Sequence, residues 1–281
     1  AAGATYNVVL KVTLASGAVG GPYSVTKNAT SAFNPSVVVA ATDTLTAIVA
    51  NSVDLTNTAA GPGAPGAGPG VEATPVTTNT VLPGATTRFT LFVNNTSAQG
   101  DTFNLAGSTD PTFAALALPA GWTVVFRNAA GTVITNTGVI AGGGNAQVFA
   151  DVTVPANQAA IPAGQSLYFR VVSPSSGAVD RKHDAVIVQT VRNVQLIPNN
   201  TGQVFPGGSV VYSHTLTNAG NVAENTGGAE IISLALADAQ GTFTSVVYLD
   251  ANNSNTIDAG DVVINTPADL GVLAAGTSKN L

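Results

Sequence analysis

The sequence predicts an all-β protein made of sandwich domains, and three features support that prediction. Short runs rich in β-branched and aromatic residues recur, among them Tyr6–Leu14, Arg88–Val93 and Ser209–Leu216. Turn formers separate these runs, since the chain of 281 residues contains 30 Gly and 15 Pro. Good helix formers other than Ala are sparse. Strands of this length, bounded by turn residues, are typical of a β-sandwich.

The composition excludes several classes of function. Charged residues make up only 9% of the chain, against about 25% in an ordinary soluble domain. The net charge is −6 and the nine basic residues are scattered, so a nucleic-acid-binding surface is not expected. The chain has no Cys, which removes disulfides, thiolate metal sites and Cys nucleophiles. A surface rich in Thr, Ser, Asn and Gly suits an extracellular or closely packed protein.

No apolar run approaches the eighteen residues of a membrane-spanning helix, so none is predicted. The chain begins with Ala and shows no signal-peptide pattern. We therefore interpret it as a processed or trimmed segment.

A stretch rich in Gly and Pro marks a candidate domain boundary. The sequence Gly61-Pro-Gly-Ala-Pro-Gly-Ala-Gly-Pro-Gly70 cannot hold a helix or a strand ladder. We interpret 61–74 as a linker that follows an N-terminal β segment, 1–60. A long loop between two strands is the alternative.

An internal repeat follows this stretch. Val81-Leu-Pro-Gly-Ala-Thr-Thr-Arg-Phe-Thr90 matches Val204-Phe-Pro-Gly-Gly-Ser-Val-Val-Tyr-Ser213 at an offset of 123 residues, and Asn95 then falls on Asn218. The Pro-Gly pair starts a turn, because Pro restricts φ and the Gly accepts a positive φ. The repeat predicts two copies of one domain.

The two copies differ in length. Further along the chain, Gly138–Gly142 matches Gly271–Ala275 at an offset of 133, so the second copy is longer by about ten residues between Tyr248 and Gly271. We assign the first repeat to 75–192 and the second repeat to 193–281.

The repeated pattern resembles a known family. The pattern consists of Pro-Gly, a Ser or Thr, an aromatic residue and a strand-ending Asn, and it is followed by Asn218-Ala-Gly-Asn221. It is similar to the conserved-repeat, immunoglobulin-like domains of bacterial cell-surface and surface-layer proteins. The resemblance covers about 75–190 and 195–281. It implies tandem immunoglobulin-like β-sandwiches and a structural or adhesive role without catalysis.

The second repeat is expected to be incomplete. The first repeat continues for about fifty residues after Gly142, whereas the second contains no counterpart of those strands. The N-terminal segment Val8–Leu14 resembles Val148–Val154, one of the strands that the second repeat lacks. Two interpretations remain open: the sequence is a piece of a longer repeat protein, or N-terminal strands of another subunit complete the domain.

One loop has the spacing of a calcium site. Its candidate ligands stand at positions 1, 3, 5, 7, 9 and 12 of an EF-hand-type loop, and they are Asp250, Asn252, Ser254, Thr256, Asp258 and Asp261. Oxygen donors without His or Cys favour Ca²⁺. Two departures are Asn255 at the usual Gly position and Asp261 instead of Glu. A polar hairpin tip without an ion is the alternative. The first repeat has Phe126–Thr132 there, without a carboxylate, and should bind no ion.

Other candidate sites are weak. His214 is expected on a strand face, and His183, within Asp180–Asp184, is expected in an exposed turn. The chain contains no G-x-S-x-G elbow, and its single Trp, Trp122, is expected to fill the core. No catalytic residue and no enzymatic activity are predicted.

We therefore predict a structural component of a prokaryotic cell-surface assembly, such as a surface layer, filament or stalk. Its expected partners are copies of itself or other surface subunits, and Ca²⁺ is its one expected cofactor. The alternative is an adhesin or carbohydrate-binding accessory module of a secreted protein, which adds a glycan as partner.

Overall fold

The chain forms two compact units, Ala1–Ser52 and Val53–Leu281. The structure, a computed structural model, describes residues 4–13, 22–46, 52–59, 64–228, 230–237 and 241–281. It confirms the predicted all-β class, because the one described helix has only four residues.

The first unit contains one antiparallel hairpin. Strand β1 (Tyr23–Thr30) pairs with β2 (Val38–Leu45), with Tyr23 opposite Leu45 and Thr30 opposite Val38. Cross-strand side-chain pairs such as Thr26 with Thr42 support this pairing. Nearly every residue of the hairpin is exposed. Residues 4–13 have no regular structure and are exposed throughout.

The second unit contains the remaining elements. The strands up to residue 188 are β3 (Val53–Thr56), β4 (Thr78–Val81), β5 (Thr86–Asn95), β6 (Asp101–Ser108), β7 (Thr123–Asn128), β8 (Asn136–Ile140), β9 (Asn145–Thr153), β10 (Ile161–Val172) and β11 (Val179–Val188). They are followed by β12 (Val194–Ile197), β13 (Thr215–Asn218), β14 (Tyr248–Leu249), β15 (Val262–Val263), the helix α1 (Pro267–Leu270) and β16 (Ser278–Asn280).

The first repeat is a sandwich of two sheets. One sheet has the order β3-β5-β9-β7 and the other has the order β4-β11-β10-β6-β8. All neighbouring strands are antiparallel except β4 and β11. This arrangement corresponds to the two sheets of an immunoglobulin-like sandwich. The departure from that pattern is the chain order of two edge strands. β7, at the edge of the first sheet, precedes β8, at the edge of the second sheet.

One hydrophobic core lies between these sheets. Alternate residues of β5, Phe89, Leu91 and Val93, are at most 1% exposed and face inward. Phe169 from the opposite sheet packs against Phe89 with ring centroids 5.4 Å apart. Trp122 belongs to the same core and is 4% exposed, which confirms its predicted position.

The Gly/Pro stretch is not separate from this sandwich. Strand β3, which the sequence analysis placed in the N-terminal segment 1–60, pairs with β5, with Val53 opposite Asn95 and Thr56 opposite Phe92. The described part of the stretch interpreted as a linker, 64–74, therefore connects β3 with β4 inside one unit. This corresponds to the inter-strand loop that the sequence analysis kept as the alternative.

The second repeat has fewer strands and a smaller core. Its sheet has the order β12-β13-β16, and β14 and β15 form a separate hairpin. Among its described residues, Leu216, Leu270 and Leu273 form the buried cluster, with Ile232, Ile264 and Leu281 packed against it. Many of its large apolar side chains are exposed; they include Phe205, Val210, Val211, Tyr212, Phe243 and Val246.

Hydrogen bonds around two asparagines show that the repeats are equivalent. The Nδ2 of Asn95 donates to Gln99 O (2.8 Å) and Ile140 O (2.9 Å). The Nδ2 of Asn218 donates to Val222 O (2.8 Å) and Leu273 O (3.0 Å).

The backbone around these residues matches as well. The carbonyl of Asn95 accepts from Gly143 N, and the carbonyl of Asn218 accepts from Gly276 N, both at 2.9 Å. Both glycines have φ near 70°, the left-handed region that glycine occupies without strain. These pairs reproduce the two offsets that the sequence predicted, 123 and 133.

Candidate functional site

The candidate calcium loop closes a hairpin of the second repeat. It runs from Asp250 to Asp261 between β14 and β15, where Tyr248 pairs with Val263 and Leu249 pairs with Val262. The loop is mostly exposed.

Carboxylates at both ends of the loop hold its backbone. The two oxygens of Asp250 accept from Ser254 N at 3.0 Å and from Asn255 N at 2.9 Å. At the other end, Asp261 accepts from Ala251 N at 3.2 Å and from Asp258 N at 2.9 Å. The first and last predicted ligands therefore lie at the neck of the loop.

The intermediate residues connect to one another. Asn252 accepts from Ser254 N at 2.9 Å and donates through Nδ2 to Asp258 Oδ2 at 2.7 Å. This bond from Asn252 is the main reason why the pKa of Asp258 lies below its usual value. Ser254 Oγ donates to Thr256 O at 2.8 Å. All six candidate ligands thus take part in one hydrogen-bonded loop.

The backbone of the loop fits the calcium-loop pattern at its most unusual position. Asn255, which replaces the usual Gly, has φ of 58°, and Asn accepts this left-handed conformation better than most residues. Hard oxygen donors from carboxylate, amide and hydroxyl groups suit Ca²⁺. Within the described residues, however, no group of three or more Asp, Glu, His or Cys side chains is placed to hold a metal ion.

The equivalent turn of the first repeat closes without any carboxylate. Asn128 Oδ1 accepts from Ala130 N and Thr132 N, both at 3.0 Å, and Asn128 N donates to Thr132 O at 2.9 Å. A tight turn held by one Asn therefore replaces the longer loop of the second repeat.

A second polar cluster lies inside the first repeat, where β11 carries buried charges. The sequence analysis expected an exposed turn at Asp180–Asp184, and this prediction is wrong. Asp180, Lys182 and Asp184 belong to β11 and are at most 2% exposed. Residues two apart point to the same face of a strand, so the three charges share one face.

The Gly/Pro stretch pairs with these charges. Lys182 Nζ forms an ion pair with Glu72 and donates to Gly66 O at 2.7 Å. Asp180 accepts from Leu55 N at 2.7 Å and from Gly70 N at 2.8 Å. The burial of these charges therefore depends on a segment more than a hundred residues away in sequence.

Asp184 completes the cluster. It accepts from Asn57 Nδ2 at 3.0 Å and from Thr77 N at 2.9 Å. Burial away from water raises the pKa of both Asp180 and Asp184 to about 6. Alternating charges at 180, 182 and 184 are the one sequence signal that could have indicated a shared buried face.

The two histidines have structural partners. His183 stacks on Tyr168 with ring centroids 4.5 Å apart, and its ring nitrogens lie 3.0 Å from Glu72 O and from Ser166 Oγ. His214 lies next to β13 and not within it; its backbone pairs with Leu281, and its Nδ1 lies 2.9 Å from Pro198 O.

The described residues of the second unit line at least two clefts. One, of about 400 Å³, lies between the repeats and has no titratable residue in its lining, which includes Pro83, Asn157, Ala219 and Asn221. The other, of about 360 Å³, contains Arg192 and Glu224, which form an ion pair with each other.

No family model matches the chain, and no curated protein matches it. Solved structures resemble it weakly. One is a family 123 glycoside hydrolase from Clostridium perfringens, at 10% identity and a TM-score of 0.28, covering 40% of this chain and 22% of that chain.

Another similar structure is the sialic-acid-binding region of a Streptococcus sanguinis adhesin, at 10% identity and a TM-score of 0.30, with coverage of 40% and 28%. A PapD-like domain of human CEP192 shows 15% identity and a TM-score of 0.27, with coverage of 50% and 87%. The chain thus spans about a quarter of the length of the first two structures. Similarity at this level assigns the chain to none of these proteins' families.

The class that the fold itself defines is an all-β protein with an immunoglobulin-like sandwich and a second, smaller repeat of it. Within the described residues, no helix has the length and hydrophobicity to cross a membrane.

Proposed function

We propose that this protein is a non-catalytic structural subunit of a prokaryotic cell-surface assembly, such as a surface layer, filament or stalk, and belongs with the immunoglobulin-like repeat proteins that its sequence resembles. Copies of the chain or other surface subunits are its partners. One observation carries the proposal: large apolar side chains are exposed along residues 4–13 and across the second repeat. Exposed apolar surface of this kind marks interaction sites.

The polar chemistry of the chain supports a structural role. The buried carboxylates of β11 accept hydrogen bonds from backbone amides and from a side-chain amide, and both histidines have protein partners. A surface with only 9% charged residues also suits extended contacts, since few charges must be desolvated. Trp122 is buried, so it cannot form the aromatic platform that a carbohydrate-binding module would need.

The proposal is tested by electron microscopy and light scattering of the purified chain over a range of concentrations. Filaments, sheets or defined oligomers are expected. Monomers at every concentration, together with binding on a glycan array, would support the adhesin alternative instead.

We further propose that Ca²⁺ stiffens the loop from Asp250 to Asp261. Asp250, Asn252, Ser254, Asp258 and Asp261 would hold the ion through side-chain oxygens, and Thr256 through its carbonyl. The ion would supply a fixed positive charge that cross-links the two ends of the loop. Its role would be structural, because the loop joins the two strands of a hairpin, β14 and β15.

Thermal unfolding in calcium and in chelator tests this proposal. We expect calcium at about 100 times its Kd to stabilise the second repeat by about 2.7 kcal/mol and to raise Tm by roughly 5 °C or more. The double variant Asp250→Asn, Asp261→Asn should lose this response.

Asp110→Asn is the matched control. Asp110 also holds an exposed loop, through bonds to Thr112 N and Ala115 N, but it lies in the first repeat. This variant should keep the full calcium response. Equal Tm values of the wild-type protein in calcium and in chelator would rule out the ion.

A further inference from the structure

The outer face of the sheet that contains β10 and β11 carries two arginines, Arg170 and Arg181, which form an arginine pair. In β10, Leu167, Phe169 and Val171 are buried in the core, so the residues between them face outward. Arg170 is one of these outward residues, and it lies directly opposite Arg181 of β11. Directly opposed residues have Cβ atoms only about 4.5–5.5 Å apart. Two positive side chains therefore share one small area of the sheet surface.

The arginine pair has no carboxylate partner. Within the described residues, neither arginine forms an ion pair, and the Nε of each is buried without a hydrogen-bond partner. The carboxylate of Glu72 pairs with Lys182, and Asp180 and Asp184 lie on the opposite face of β11. Guanidinium groups keep their charge at physiological pH, so this opposition destabilises the sheet unless an anion neutralises it.

The ring of Phe113 holds Arg170 in place. The Cζ of Arg170 lies 4.6 Å from the centroid of this ring, so the ring covers one face of the guanidinium. Stacking of this kind leaves the N–H donors at the edge of the group available for an acceptor. Phe113 itself is 7% exposed and has φ of 57°, a left-handed conformation that a bulky residue rarely adopts.

The loop around Phe113 enforces this unusual conformation. The carboxylate of Asp110 accepts from Thr112 N at 2.8 Å and from Ala115 N at 3.1 Å, and Phe113 N donates to Asp110 O at 3.1 Å. Asp110 therefore uses its carboxylate within its own loop and forms no ion pair with Arg170. Backbone strain that the surroundings enforce in this way is concentrated at binding sites.

The neighbouring side chains leave room for a small planar group beside the arginine pair. On the β6 side, Arg170 lies opposite Ala106, whose side chain is only a methyl group. In the next outward row, Tyr168 stacks on His183 with ring centroids 4.5 Å apart, and the two rings form an aromatic wall. Both arginines are half-buried, so an anion bound here would be partly shielded from water, which strengthens an ionic contact.

We propose that the arginine pair binds a carboxylate of a second copy of this chain. The N–H donors of a guanidinium match the two oxygens of a carboxylate and bind them through parallel hydrogen bonds. The chain offers such groups in surplus, because it contains 15 acidic and 9 basic residues and has a net charge of −6. Copies that meet at this face therefore bring carboxylates to an unpaired pair of cations. This inference rests on the proposed role as an assembling subunit and names the chemistry of one contact between copies.

The double variant Arg170→Gln, Arg181→Gln in the full chain tests the contact. Sedimentation at low ionic strength should show that self-association weakens by about tenfold or more, since hydrogen bonds between charged groups are lost. Added salt should weaken self-association of the wild-type chain more than that of the variant. The Tm of the variant should not fall, because the substitution removes two like charges that oppose each other. A lower Tm with unchanged self-association would mean that the pair serves stability only.

Arg88→Gln is the matched control. Arg88 also stacks on an aromatic ring, with its Cζ 4.6 Å from the centroid of Phe149, but both oxygens of Asp151 already bind its guanidinium. The substitution therefore removes the same charge from a site that has its own carboxylate. Self-association should stay unchanged in Arg88→Gln. Equal weakening in this control and in the double variant would overturn the proposal.

Binding of a fluorescent glutamate oligomer measures the site without any assembly. The oligomer should bind the wild-type chain and Arg88→Gln but not the double glutamine variant. The double variant Arg170→Lys, Arg181→Lys should bind more weakly than the wild-type chain, because Lys keeps the charge but lacks the planar fork. A galacturonate oligomer of equal charge is the second probe. Selective binding of this acidic sugar would overturn a second copy as the occupant and assign the pair to an acidic polysaccharide.

Failure of this inference can be told apart from failure of the proposed function. Assemblies of equal size and strength in the wild-type chain and in the double glutamine variant would overturn the inference and leave the surface role standing. Absence of every assembly of the wild-type chain would count against the proposed function and against a second copy as the occupant. In that case, binding of the glutamate oligomer would still support the carboxylate site.

Discussion

Two buried asparagines, Asn95 and Asn218, each end a central strand and bind two carbonyls through one amide group. The carbonyls of Ile140 and Leu273 belong to residues that are 6% and 0% exposed. No other side chain of similar size offers two donors and an acceptor in this geometry. This explains at the level of one residue why the repeated motif contains Asn at the end of its strand.

Asn95→Ala should therefore destabilise the first repeat by about 2–4 kcal/mol, because the buried carbonyl of Ile140 loses its donor and the buried backbone amide of Ser97 loses its acceptor, each at a cost of about 1–3 kcal/mol. Urea unfolding measures this loss. Asn157→Ala, at an exposed position, is the control and should stay within about 0.5 kcal/mol of the wild-type protein. Equal effects of the two substitutions would show that the Asn95 bonds are not important.

The buried carboxylates Asp180 and Asp184 predict an unusual pH dependence. Their pKa values are raised to about 6 in the folded chain, against about 3.9 in an unfolded chain. Each group therefore favours the folded state fully below about pH 4, and this contribution is lost as pH rises through 6. The loss amounts to about 3 kcal/mol for each group between pH 4 and 7.

Asp184→Asn should remove the pH-dependent contribution of Asp184 to stability. The difference in unfolding free energy between the wild-type and variant proteins should therefore change between pH 4 and 7. Asp110→Asn is a control of opposite sign. Bonds from Thr112 lower the pKa of Asp110 to about 2, so its contribution is lost only as pH falls below about 4. A pH-independent difference for Asp184→Asn would contradict the raised pKa.

At the level of elements, β11 and the Gly/Pro stretch depend on each other. Lys182 is fully buried and pairs with Glu72, whose second oxygen accepts from His183 N at 2.8 Å. Gly66 allows the backbone to approach Lys182 closely, because a Cβ at this position would overlap the lysine side chain. A stretch without regular structure thus acts as a cover for the edge of the sandwich.

Lys182→Met should loosen this cover. Breaking a buried ion pair costs about 3–5 kcal/mol, and we expect the lower end because Glu72 keeps partial access to water. Cleavage after Glu72 by a glutamate-specific protease should become faster under native conditions. Lys27→Met, which removes an exposed ion pair in the first unit, should leave this cleavage unchanged. Unchanged cleavage in Lys182→Met would contradict the covering role.

At the level of the second unit as a whole, Asn221 connects two repeats of unequal core. Asn221 Oδ1 accepts from Val191 N at 2.7 Å, and its Nδ2 donates to Gln189 O at 2.8 Å and to Gln158 O at 3.2 Å. Its backbone adds bonds to Val191 and Ala160. The larger core of the first repeat thereby supports the smaller one through this junction.

Asn221→Ala should uncouple the repeats. Hydrogen exchange should become faster across the second repeat, including β13, while the first-repeat strands β5 and β9 stay protected. Asn157→Ala is the control, because Asn157 lines the cleft between the repeats together with Asn221. Uniformly unchanged exchange in Asn221→Ala would show that the junction carries no stability.

Local patterns in the sequence were enough to predict the fold class, the repeat and the candidate calcium loop. Alternation of β-branched residues with Gly and Pro predicted the strands, and the Pro-Gly and Asn positions predicted two offsets that the hydrogen bonds reproduce. These features are local, so a single chain reveals them. The six calcium-loop residues were likewise found from spacing alone, and the structure links them in one hydrogen-bonded loop.

The buried positions of the β11 charges and the exposed position of Tyr212 are visible only in the three-dimensional structure. Asp180–Asp184 was predicted as an exposed turn because charged residues are rarely buried. Its partners Gly66, Gly70 and Glu72 are distant in sequence, so no local pattern shows that they satisfy these charges. The exposed Tyr212 likewise resembles its buried counterpart Phe89 in sequence. Within the part of the chain that the structure describes, β9 pairs with Phe89 but no strand pairs with Tyr212, and only the three-dimensional pairing shows this difference.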